Sequence, residues 1–420
     1  MRSDAVVVGA GLSGLVAALR LAEAGLKTTV VAQGVGSTHL SPASIDVLGY
    51  APDLVESPAR ALPAFLAEHP EHPYARISLE LIEQSVAWLR ERAEGLGYTG
   101  SLRENLLVPT AAGVPAPTAV VPASMAAGDL RSGGRFAFVG LRAMKSFHPA
   151  YLAENLAQAK LPSGAGIEAR AVRITEPGSE PDVGALDYAR AFEDAAFRRA
   201  VASELKVQLQ SGEAVGFPAV LGLDRHAEVR RELEEALERP VFEVTGLPPS
   251  VPGIRLFRAL RSAFRRAGGR LVMGAVVVGA GTSERSVTSL SVRAAAGRTT
   301  AYEARWFVLA TGGFASGALH VDSYGEVRET ALGLPVAGVP PVEEPRFLPG
   351  VFDDHPMSRA GLAVDERLRP LGPEGAAAFH NLFAAGAVLA GAEPWRERSG
   401  NGLALATGFA AASHILEDAS

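Results

Sequence analysis

The sequence contains no cysteine among its 420 residues. This absence excludes disulfide bonds, thiolate zinc sites, cysteine nucleophiles and any iron–sulfur cluster ligated by the chain itself. If single electrons leave the protein through such a cluster, the cluster therefore belongs to another protein chain.

Positive charge is in deficit as well. Lys and Arg number 40 against 46 Asp and Glu, which gives a net charge of −6, and the basic residues form no tract. A protein that binds a nucleic-acid backbone needs such a tract, so we expect no nucleic-acid partner. We also expect no metal site, because metal-ligand spacing is absent from the scattered histidines His69, His72, His226, His320, His380 and His414.

Long apolar runs are missing too. Those near "NLFAAGAVLAGA" and "GLALATGFAAA" are too short or too polar to cross a bilayer. The N-terminal run from Ala5 to Leu19 is similar to part of a signal peptide, but Asp4 interrupts the basic region that a signal peptide requires. We therefore expect a cytoplasmic protein without a transmembrane segment, which reaches the inner face of the cell membrane, if at all, through its partners.

What the sequence does contain is a glycine motif near its start, "VVVGAGLSGLVAAL". Gly9 permits a tight turn, Gly11 lets the backbone approach a pyrophosphate, and Gly14 lets the following helix pack on the strand. The amides and partial positive charge at the helix N-terminus favour a phosphate group there. The motif predicts a dinucleotide-type turn between a strand at 4–8 and a helix at 12–24.

The second predicted strand, within "TTVVAQG", lacks the acidic residue that normally accepts hydrogen bonds from an adenosine ribose. Ala32 and Gln33 stand there instead, and the replacement removes a contact worth about 1–3 kcal/mol. Three explanations follow: the ligand has no adenosine, as in FMN; Gln33 binds the ribose more weakly; or an arginine elsewhere contacts an NADP-type phosphate. The last is least favoured, because the basic residue near Gln33 is Lys27, which precedes the strand.

Two later segments favour a flavin over a nicotinamide. "WFVLATGGF" (306–314) is an apolar strand that ends in a small-residue turn, and "NLFAAGAVLAG" followed by "SGNGLALATGFAAA" is a strand, a loop and a helix. The N-terminus of that helix can face the pyrimidine carbonyls of a flavin. The three segments in this order predict a flavoprotein. A second "VVVGAG" at 276–281 lacks the third glycine and a following apolar helix, so we expect no phosphate turn there.

These motifs, together with "STHLSPASIDVLGY", "HPEHPY", "PGIRLFRALRSAFRRAGGRLVMG" and "VDERLRP", resemble the family of anaerobic glycerol-3-phosphate dehydrogenase B subunits over most of the chain. More widely they resemble the fumarate-reductase-like flavoproteins. The resemblance implies FMN, or alternatively FAD, on this chain. It also implies that catalytic A and B subunits form a pair on an iron–sulfur C subunit, which passes electrons to the quinone pool. The implied reaction is the flavin-dependent oxidation of sn-glycerol 3-phosphate to dihydroxyacetone phosphate.

Two other hypotheses stay open. In one, the chain holds its flavin only as an electron relay or structural support while the A subunit does the chemistry. In the other, the chain is a stand-alone FAD enzyme of the fumarate-reductase-like group with another substrate.

The resemblance implies four groups of flavin-binding residues. They are the phosphate turn (Gly9, Gly11, Leu12, Ser13, Gly14), the end of the second strand with its loop (Gln33, Ser37, Thr38, His39, Ser41), the turn after the strand in "WFVLATGGF" (Thr311, Gly312, Gly313) and the C-terminal segment (Gly386, Gly400, Asn401, Gly402, Leu403). His39 occupies roughly the place of a histidine that relatives join covalently to flavin, but we expect no such bond here.

Oxidation of a secondary alcohol needs a base for the hydroxyl proton, a hydride acceptor, and cations to hold the phosphate. His355 in "DDHPMSRAGLAVD" lies one residue out of register with a substrate-contacting histidine of the wider relatives, and Arg359 follows it. Arg396 and Arg398 lie beside the place of an anion-binding arginine, again one residue off. We take His355, Arg359 and Arg398 as catalytic candidates, and we interpret His148 as a helix-entry residue.

Length and composition, with 48% hydrophobic and 20% charged residues, predict a globular protein of two domains. The fold class is α/β, with a Rossmann-like flavin-binding domain of the FAD/NAD(P)-binding type made of 1–60, 250–320 and 350–420. A block of mixed strands and helices, 61–249 plus 321–349, predicts an inserted α+β domain for substrate capping or partner docking.

Overall fold

The computed structural model describes residues 1–175 and 182–419. The chain forms two compact units: the first contains 1–37, 59–92 and 257–420, and the second contains 38–58 and 93–256. The domain boundaries expected from the sequence stay a prediction. The units differ from them in that 61–92 and 321–349 belong to the first unit, and 38–58 and 250–256 to the second.

The α-helices of the described residues are α1 (Leu12–Glu23), α2 (Pro58–Glu68), α3 (Leu79–Arg92), α4 (Ala123–Ala126), α5 (Pro149–Ala157), α6 (Ala185–Ala191), α7 (Ala195–Lys206), α8 (His226–Leu237), α9 (Val251–Arg266), α10 (Pro394–Glu397) and α11 (Gly400–Ala419). The strands are β1 (Ala5–Val8), β2 (Thr28–Ala32), β3 (Thr99–Gly100), β4 (Leu106–Pro109), β5 (Pro115–Thr118), β6 (Val120–Val121), β7 (Gly134–Leu141), β8 (Ile167–Ile174), β9 (Glu213–Pro218), β10 (Val241–Val244), β11 (Arg270–Met273), β12 (Ala275–Ser283), β13 (Ser286–Ala294), β14 (Thr299–Glu303), β15 (Trp306–Leu309), β16 (Leu319–Val321), β17 (Val327–Glu329) and β18 (Leu382–Ala384).

The central sheet of the first unit has the order β11-β2-β1-β15-β18, and every neighbouring pair is parallel. Every residue of β1, β2, β15 and β18 is buried, as expected for parallel strands covered on both faces. Ala5 lies opposite Thr28 on one side and Trp306 on the other, so the carboxyl ends of these strands meet at one edge. This arrangement confirms the predicted Rossmann-like fold.

Two helices cover this sheet close to its carboxyl edge. α1 buries ten of its residues between Leu12 and Ala22, and α11 buries an apolar set that includes Leu405 and Phe409. The Arg20 guanidinium lies 3.7 Å from the centre of the Phe409 ring, which joins the two helices. The strand expected in "NLFAAGAVLAG" is short, because β18 ends at Ala384 and the chain turns at Gly386.

The second "VVVGAG" belongs to β12, which pairs antiparallel with β13, and β13 pairs with β14. Residues alternate between buried and exposed along the first half of β12, with Ala275 and Val277 buried and Val276 and Val278 exposed. This repeat is therefore a half-buried strand of a hairpin and carries no phosphate turn, as predicted.

The second unit has its own parallel sheet, of order β10-β9-β7-β8. Helices alternate with these strands along the chain: α5 follows β7, α6 and α7 follow β8, and α8 follows β9. The core contains Phe136 and Phe138, which both meet the Phe242 ring edge-on at 5.9 Å. α8 presents the solvated charged face predicted for it, with ion pairs such as Arg230–Glu234 at 2.7 Å.

Candidate flavin and substrate site

The glycine turn between β1 and α1 is held against the end of β15. The Gly9 N–H donates to Val31 O and the Ala310 N–H donates to Val8 O, both at 2.8 Å. Gly9 has φ +114°, and a Cβ there would stand 2.0 Å from Ala310 O. A Cβ on Gly14 would stand 2.1 Å from Gly9 O. Both positions therefore require glycine, as the motif predicts.

Gly11 differs from these two glycines. A Cβ built on it meets no described atom within 4 Å, and its φ of −70° is open to any residue. It is the N-cap of α1, whose first turn contains no acidic residue. Gly36, in the loop after β2, approaches so closely that a Cβ on it would lie 2.7 Å from Gly11 Cα. This open, uncapped helix start fits a pyrophosphate that the backbone amides bind.

The two C-terminal flavin segments lie beside the same turn. A Cβ on Gly386 would stand 2.5 Å from the Ser13 Oγ, and the Gly386 N–H donates to Thr407 Oγ1 of α11 at 2.9 Å. A Cβ on Gly313 would lie 3.2 Å from Ala387 O. The predicted residues Ser13, Gly313 and Gly386 are thus brought together at the carboxyl edge of the sheet.

Thr311 gives an independent sign of a ligand at this edge. Its Oγ1 is buried and has no hydrogen-bond partner among the described residues. A buried hydroxyl without a partner costs free energy unless a ligand or water satisfies it. The adjacent turn is ordered, since the Ser316 hydroxyl hydrogen-bonds to Thr311 O and Gly313 O, both at 2.9 Å. The residues present therefore fit a bound flavin nucleotide.

The remaining predicted flavin residues divide between the two units. Gln33 and Ser37 are exposed at the end of the first unit's opening segment, and Gly312 and Gly400–Leu403 also belong to the first unit. Thr38, His39 and Ser41 belong to the second unit, where the Ser250 N–H donates to His39 O at 2.8 Å. The Thr38 hydroxyl is buried without a hydrogen-bond partner among the described residues.

His355 is bound by its own loop. Its Nδ1 accepts a hydrogen bond from the Leu348 N–H at 3.1 Å, so in the neutral ring Nε2 carries the proton and donates to Val351 O at 3.2 Å. The ring also lies near Trp395, with centroids 6.2 Å apart. In this arrangement His355 has no nitrogen lone pair with which to take a proton from a substrate.

Arg359 is the centre of a charged cluster in the first unit. Its Nη2 donates to Asp354 Oδ1 at 2.6 Å and to Glu393 Oε2 at 3.2 Å. Arg396 lies 3.6 Å from Asp354 and 3.8 Å from Glu393. The hydrogen bond from Arg359 holds the pKa of Asp354 below its ordinary value. Arg398 adopts a left-handed conformation at the C-terminal end of α10.

Glu393 is the residue of this cluster that sequence reasoning missed. It is 3% exposed, and its Oε1 is buried without a hydrogen-bond partner among the described residues. Burial raises the pKa of Glu393 above its ordinary value, although the charges of Arg359 and Arg396 oppose this shift. A buried carboxylate beside two arginines that are about one-third exposed can take up a proton from a ligand that the arginines hold.

Glu397 is a second buried carboxylate, and it is hydrogen-bonded to the backbone of Glu393. Glu397 accepts hydrogen bonds from the Ser399 hydroxyl at 2.7 Å and from the Glu393 N–H at 2.7 Å, and it lies 3.3 Å from His72 Nε2. The His72 ring is fixed because Nδ1 accepts from the Tyr74 N–H at 3.1 Å. Burial alone would raise the pKa of Glu397, but His72 and Ser399 lower it below its ordinary value. Ser399 in turn accepts the Leu403 N–H of α11 at 2.8 Å through its carbonyl.

The sequence matches the family described as FAD binding domain over residues 4–403. It is 31% identical over 435 residues to the anaerobic glycerol-3-phosphate dehydrogenase B subunit of Yersinia pestis, covering 100% of this chain and 99% of that protein. It is 32% identical over 439 residues to the B subunit of the same name from Pectobacterium carotovorum, with the same coverage. A Halobacterium salinarum protein, named as a probable B subunit of anaerobic glycerol-3-phosphate dehydrogenase, is 33% identical over 436 residues, covering 99% and 98%.

The glycine turn, the parallel sheet and the family match together define a flavoprotein of the FAD-binding class. Within that class, the chain belongs to the family of anaerobic glycerol-3-phosphate dehydrogenase B subunits.

The family match supports FAD as the flavin, so our preference for FMN over FAD is not supported. That preference came from the resemblance, and the missing ribose acid at Ala32 agreed with it. The side chain of Gln33, exposed directly after β2, offers a polar group at the same edge.

In residues 1–175 and 182–419, no helix is both long and apolar enough to span a bilayer. The same residues contain no group of three or more His, Cys, Asp or Glu side chains that could hold a metal ion.

Proposed function

We propose that this chain binds FAD and is one component of a dehydrogenase that oxidises sn-glycerol 3-phosphate to dihydroxyacetone phosphate. The observation that carries the proposal is the open N-terminus of α1 at Gly11, together with the unsatisfied Thr311 hydroxyl after β15, in a chain that matches B subunits over its full length. Electrons leave through an iron–sulfur partner toward quinone, since the chain contains no cysteine with which to hold a cluster itself.

The predicted flavin residues have separate roles in this proposal. The amides after Gly11 bind the pyrophosphate, Gln33 bonds the adenosine ribose in place of the usual acid, and Thr311 donates its unsatisfied hydroxyl to the ligand. The N-terminus of α11, at Gly400–Leu403, directs amide dipoles at the flavin ring. Bound flavin supplies the hydride acceptor for the reaction.

The charged cluster handles the substrate. Arg359 and Arg396 exchange their contact with Asp354 for the phosphate of the substrate, because both guanidiniums are partly exposed. Glu393 takes the hydroxyl proton through its free Oε1, and its raised pKa favours that uptake. We assign the base to Glu393 rather than to the predicted His355, because both His355 nitrogens are bonded within its loop. Arg398 remains a candidate for a further phosphate contact.

One specific observation favours the alternative in which this chain only relays electrons. Arg359 already forms ion pairs with Asp354 and Glu393, so its charge is balanced without a bound substrate. In that case a partner chain performs the oxidation. The stand-alone alternative is less favoured, since the relatives matched over their full length are named as subunits.

The test is turnover of glycerol 3-phosphate by the purified, flavin-loaded chain with an artificial dye acceptor, alone and after addition of the partner chains. Turnover by the chain alone that is lost in Glu393→Gln supports the catalytic role. Turnover that appears only with partners and is unchanged in Glu393→Gln supports the relay. The exposed Glu344 offers a matched control as Glu344→Gln. Flavin retention in each variant, read from the absorbance spectrum, separates loss of chemistry from loss of the cofactor.

A further inference from the structure

A cavity of about 850 Å³ opens in the second unit at the carboxyl ends of β7 and β8. These strands are parallel and in full register, with Leu141 opposite Ile174, so the loops that follow them begin at the same edge of the sheet. Ligands of open parallel sheets bind outside this edge, because loops and helix N-termini converge there. The cavity therefore lies where the fold favours a ligand.

The connection from β7 to α5 forms one wall of the cavity. A Cβ on Gly140 would stand 2.7 Å from Pro149 Cγ, so the glycine near the end of β7 lets the first turn of α5 pack closely against the strand. α5 begins after His148, whose side chain makes no capping hydrogen bond, and its first turn contains no acidic residue. The positive end of this helix is therefore not compensated by a carboxylate of its own. His148 is thus the helix-entry residue expected from the sequence, and it also lines the cavity.

Among the described residues, the charged side chains that line the cavity are all cationic. Arg142, Lys145 and Arg173 line the cavity, and no Asp or Glu of the described residues does. This concentration of cations occurs in a chain whose net charge is −6. The Lys145 side chain is held near the backbone of the same loop, because its Nζ donates a hydrogen bond to Arg142 O at 3.0 Å. Cations gathered on one wall, with a helix N-terminus beside them, attract a compact multivalent anion.

An aromatic ring stands beside these cations. Tyr151, in the first turn of α5, lines the cavity and is 58% exposed. An exposed ring next to phosphate-binding groups is a surface on which a base or sugar can stack. A nucleic-acid strand is a poor alternative, because the cations are confined to this cavity wall and the chain as a whole is acidic.

We propose that this cavity of the second unit binds a small phosphate-bearing molecule, with Lys145 and Arg173 contacting the phosphate and Tyr151 contacting the remainder. The site is built from residues of the second unit alone, and the proposal does not rest on the proposed dehydrogenase function. Lys145 follows the end of β7 and Arg173 lies near the end of β8, so residues from both strand ends contribute cations to the lining. Binding is therefore expected to fall as salt screens these charges.

The test is isothermal titration calorimetry of the full, flavin-loaded chain with inorganic phosphate, pyrophosphate and AMP at low ionic strength. We expect saturable binding of at least one of them, weakened by about tenfold or more in Lys145→Glu and in Arg173→Glu, since each variant removes a cation that can bond the phosphate and adds a repelling charge. Arg231→Glu on α8 is the matched control, because Arg231 is an exposed arginine of the same unit that pairs with Glu235 outside the cavity. Circular dichroism checks that each variant is folded.

Should a charge reversal fail to fold, Lys145→Gln and Arg173→Gln replace it, with a smaller loss expected. Tyr151→Ala shows whether the site binds a nucleotide or the phosphate group alone. A loss for AMP with no loss for inorganic phosphate supports a nucleotide, and no loss for either supports recognition of the phosphate alone. The proposal is overturned if none of the three probes binds saturably to the wild-type chain. It is also overturned if Arg231→Glu weakens binding as much as the cavity variants do.

Discussion

Gly9 and Ala310 lie in direct backbone contact at the carboxyl edge of the first sheet, where a Cβ on Gly9 would stand 2.0 Å from Ala310 O. A Cβ on Gly11, two residues later, would meet no atom of the described residues within 4 Å. One glycine of the motif is thus required by the protein itself, while the other leaves room for a ligand. This difference allows folding and flavin binding to be separated by mutation.

Gly9→Ala is expected to destabilise the first unit. The φ of +114° disfavours any side chain, and the new methyl group would overlap a carbonyl oxygen. Together these effects cost about 2–5 kcal/mol. Urea unfolding of the purified chain measures the loss.

Gly11→Ala is expected to leave the free energy of unfolding nearly unchanged while it lowers flavin content, because the methyl group would enter the space where the pyrophosphate approaches the amides. The flavin-to-protein absorbance ratio after purification measures the effect. Gly34→Ala is the control, since a Cβ there meets no described atom within 4 Å and lies outside the turn. Equal flavin content in Gly11→Ala and Gly34→Ala would contradict the assignment of the pyrophosphate site.

Arg255 and Glu243 form a buried ion pair in the second unit. Arg255 Nη1 lies 2.6 Å from Glu243 Oε2, and both side chains are at most 3% exposed. Arg255→Met should destabilise the chain by about 3–5 kcal/mol, because it leaves a buried carboxylate without its cation. The double variant Arg255→Met/Glu243→Leu should recover much of that loss. Denaturant unfolding of the three proteins tests this, and a double variant as unstable as the single one would argue against the pairing.

Glu397 should contribute to stability in a pH-dependent manner. Its pKa is lowered in the folded protein, so its contribution is present above the ordinary glutamate pKa of about 4.3 and is lost as the pH falls through the folded value. The melting temperature of Glu397→Gln should therefore fall less steeply between about pH 5 and pH 3 than that of the wild type. The exposed Glu344→Gln variant should follow the wild-type curve. Parallel curves for wild type and Glu397→Gln would refute the role of this carboxylate.

Glu393→Gln should reduce turnover by about 10²–10⁴-fold if Glu393 takes the substrate proton. Flavin content should be retained, because Glu393 contacts the arginine cluster and not the glycine turn. The pKa of Glu393 is raised in the folded protein, so its ionisation lowers the stability of the fold as the pH rises. Above neutral pH, Glu393→Gln should therefore be no less stable than the wild type, provided that Arg359 keeps its ion pair with Asp354. Arg359→Lys, which keeps the charge but loses the planar guanidinium, tests the arginine separately.

The glycine turn could be predicted from the sequence because the glycines that it needs lie within six residues, from Gly9 to Gly14. A single local physical reason explains why each of these positions is a glycine. The Glu393–Glu397–His72 group could not, since His72 and Glu397 are 325 positions apart and meet only through the fold. The signal in the sequence was a pair of acids four residues apart in a segment for which no helix was predicted, and solvated helices show the same pattern. The parallel sheet of the second unit was not predicted, because an apolar run such as that of β7 does not by itself show which kind of sheet the strand joins.

The choice of FMN over FAD has a different origin. FMN was implied by the resemblance, and the missing ribose acid agreed with it, but the loss of one contact of about 1–3 kcal/mol does not exclude FAD, since another polar group at the edge of the sheet can supply comparable energy. Gln33 is such a group. Gln33→Ala should weaken FAD binding and leave any FMN binding unchanged, which equilibrium dialysis of the apoprotein with each flavin measures.

The central claim is that the open amides behind β1 hold an FAD molecule. Mass spectrometry of the ligand released from the purified, denatured chain tests it most directly. The account predicts FAD, released without a covalent bond, at about one molecule per chain. A chain that carries no flavin and cannot be reconstituted with FAD would contradict the claim, and so would release of FMN alone, which has no adenosine for Gln33 to bind.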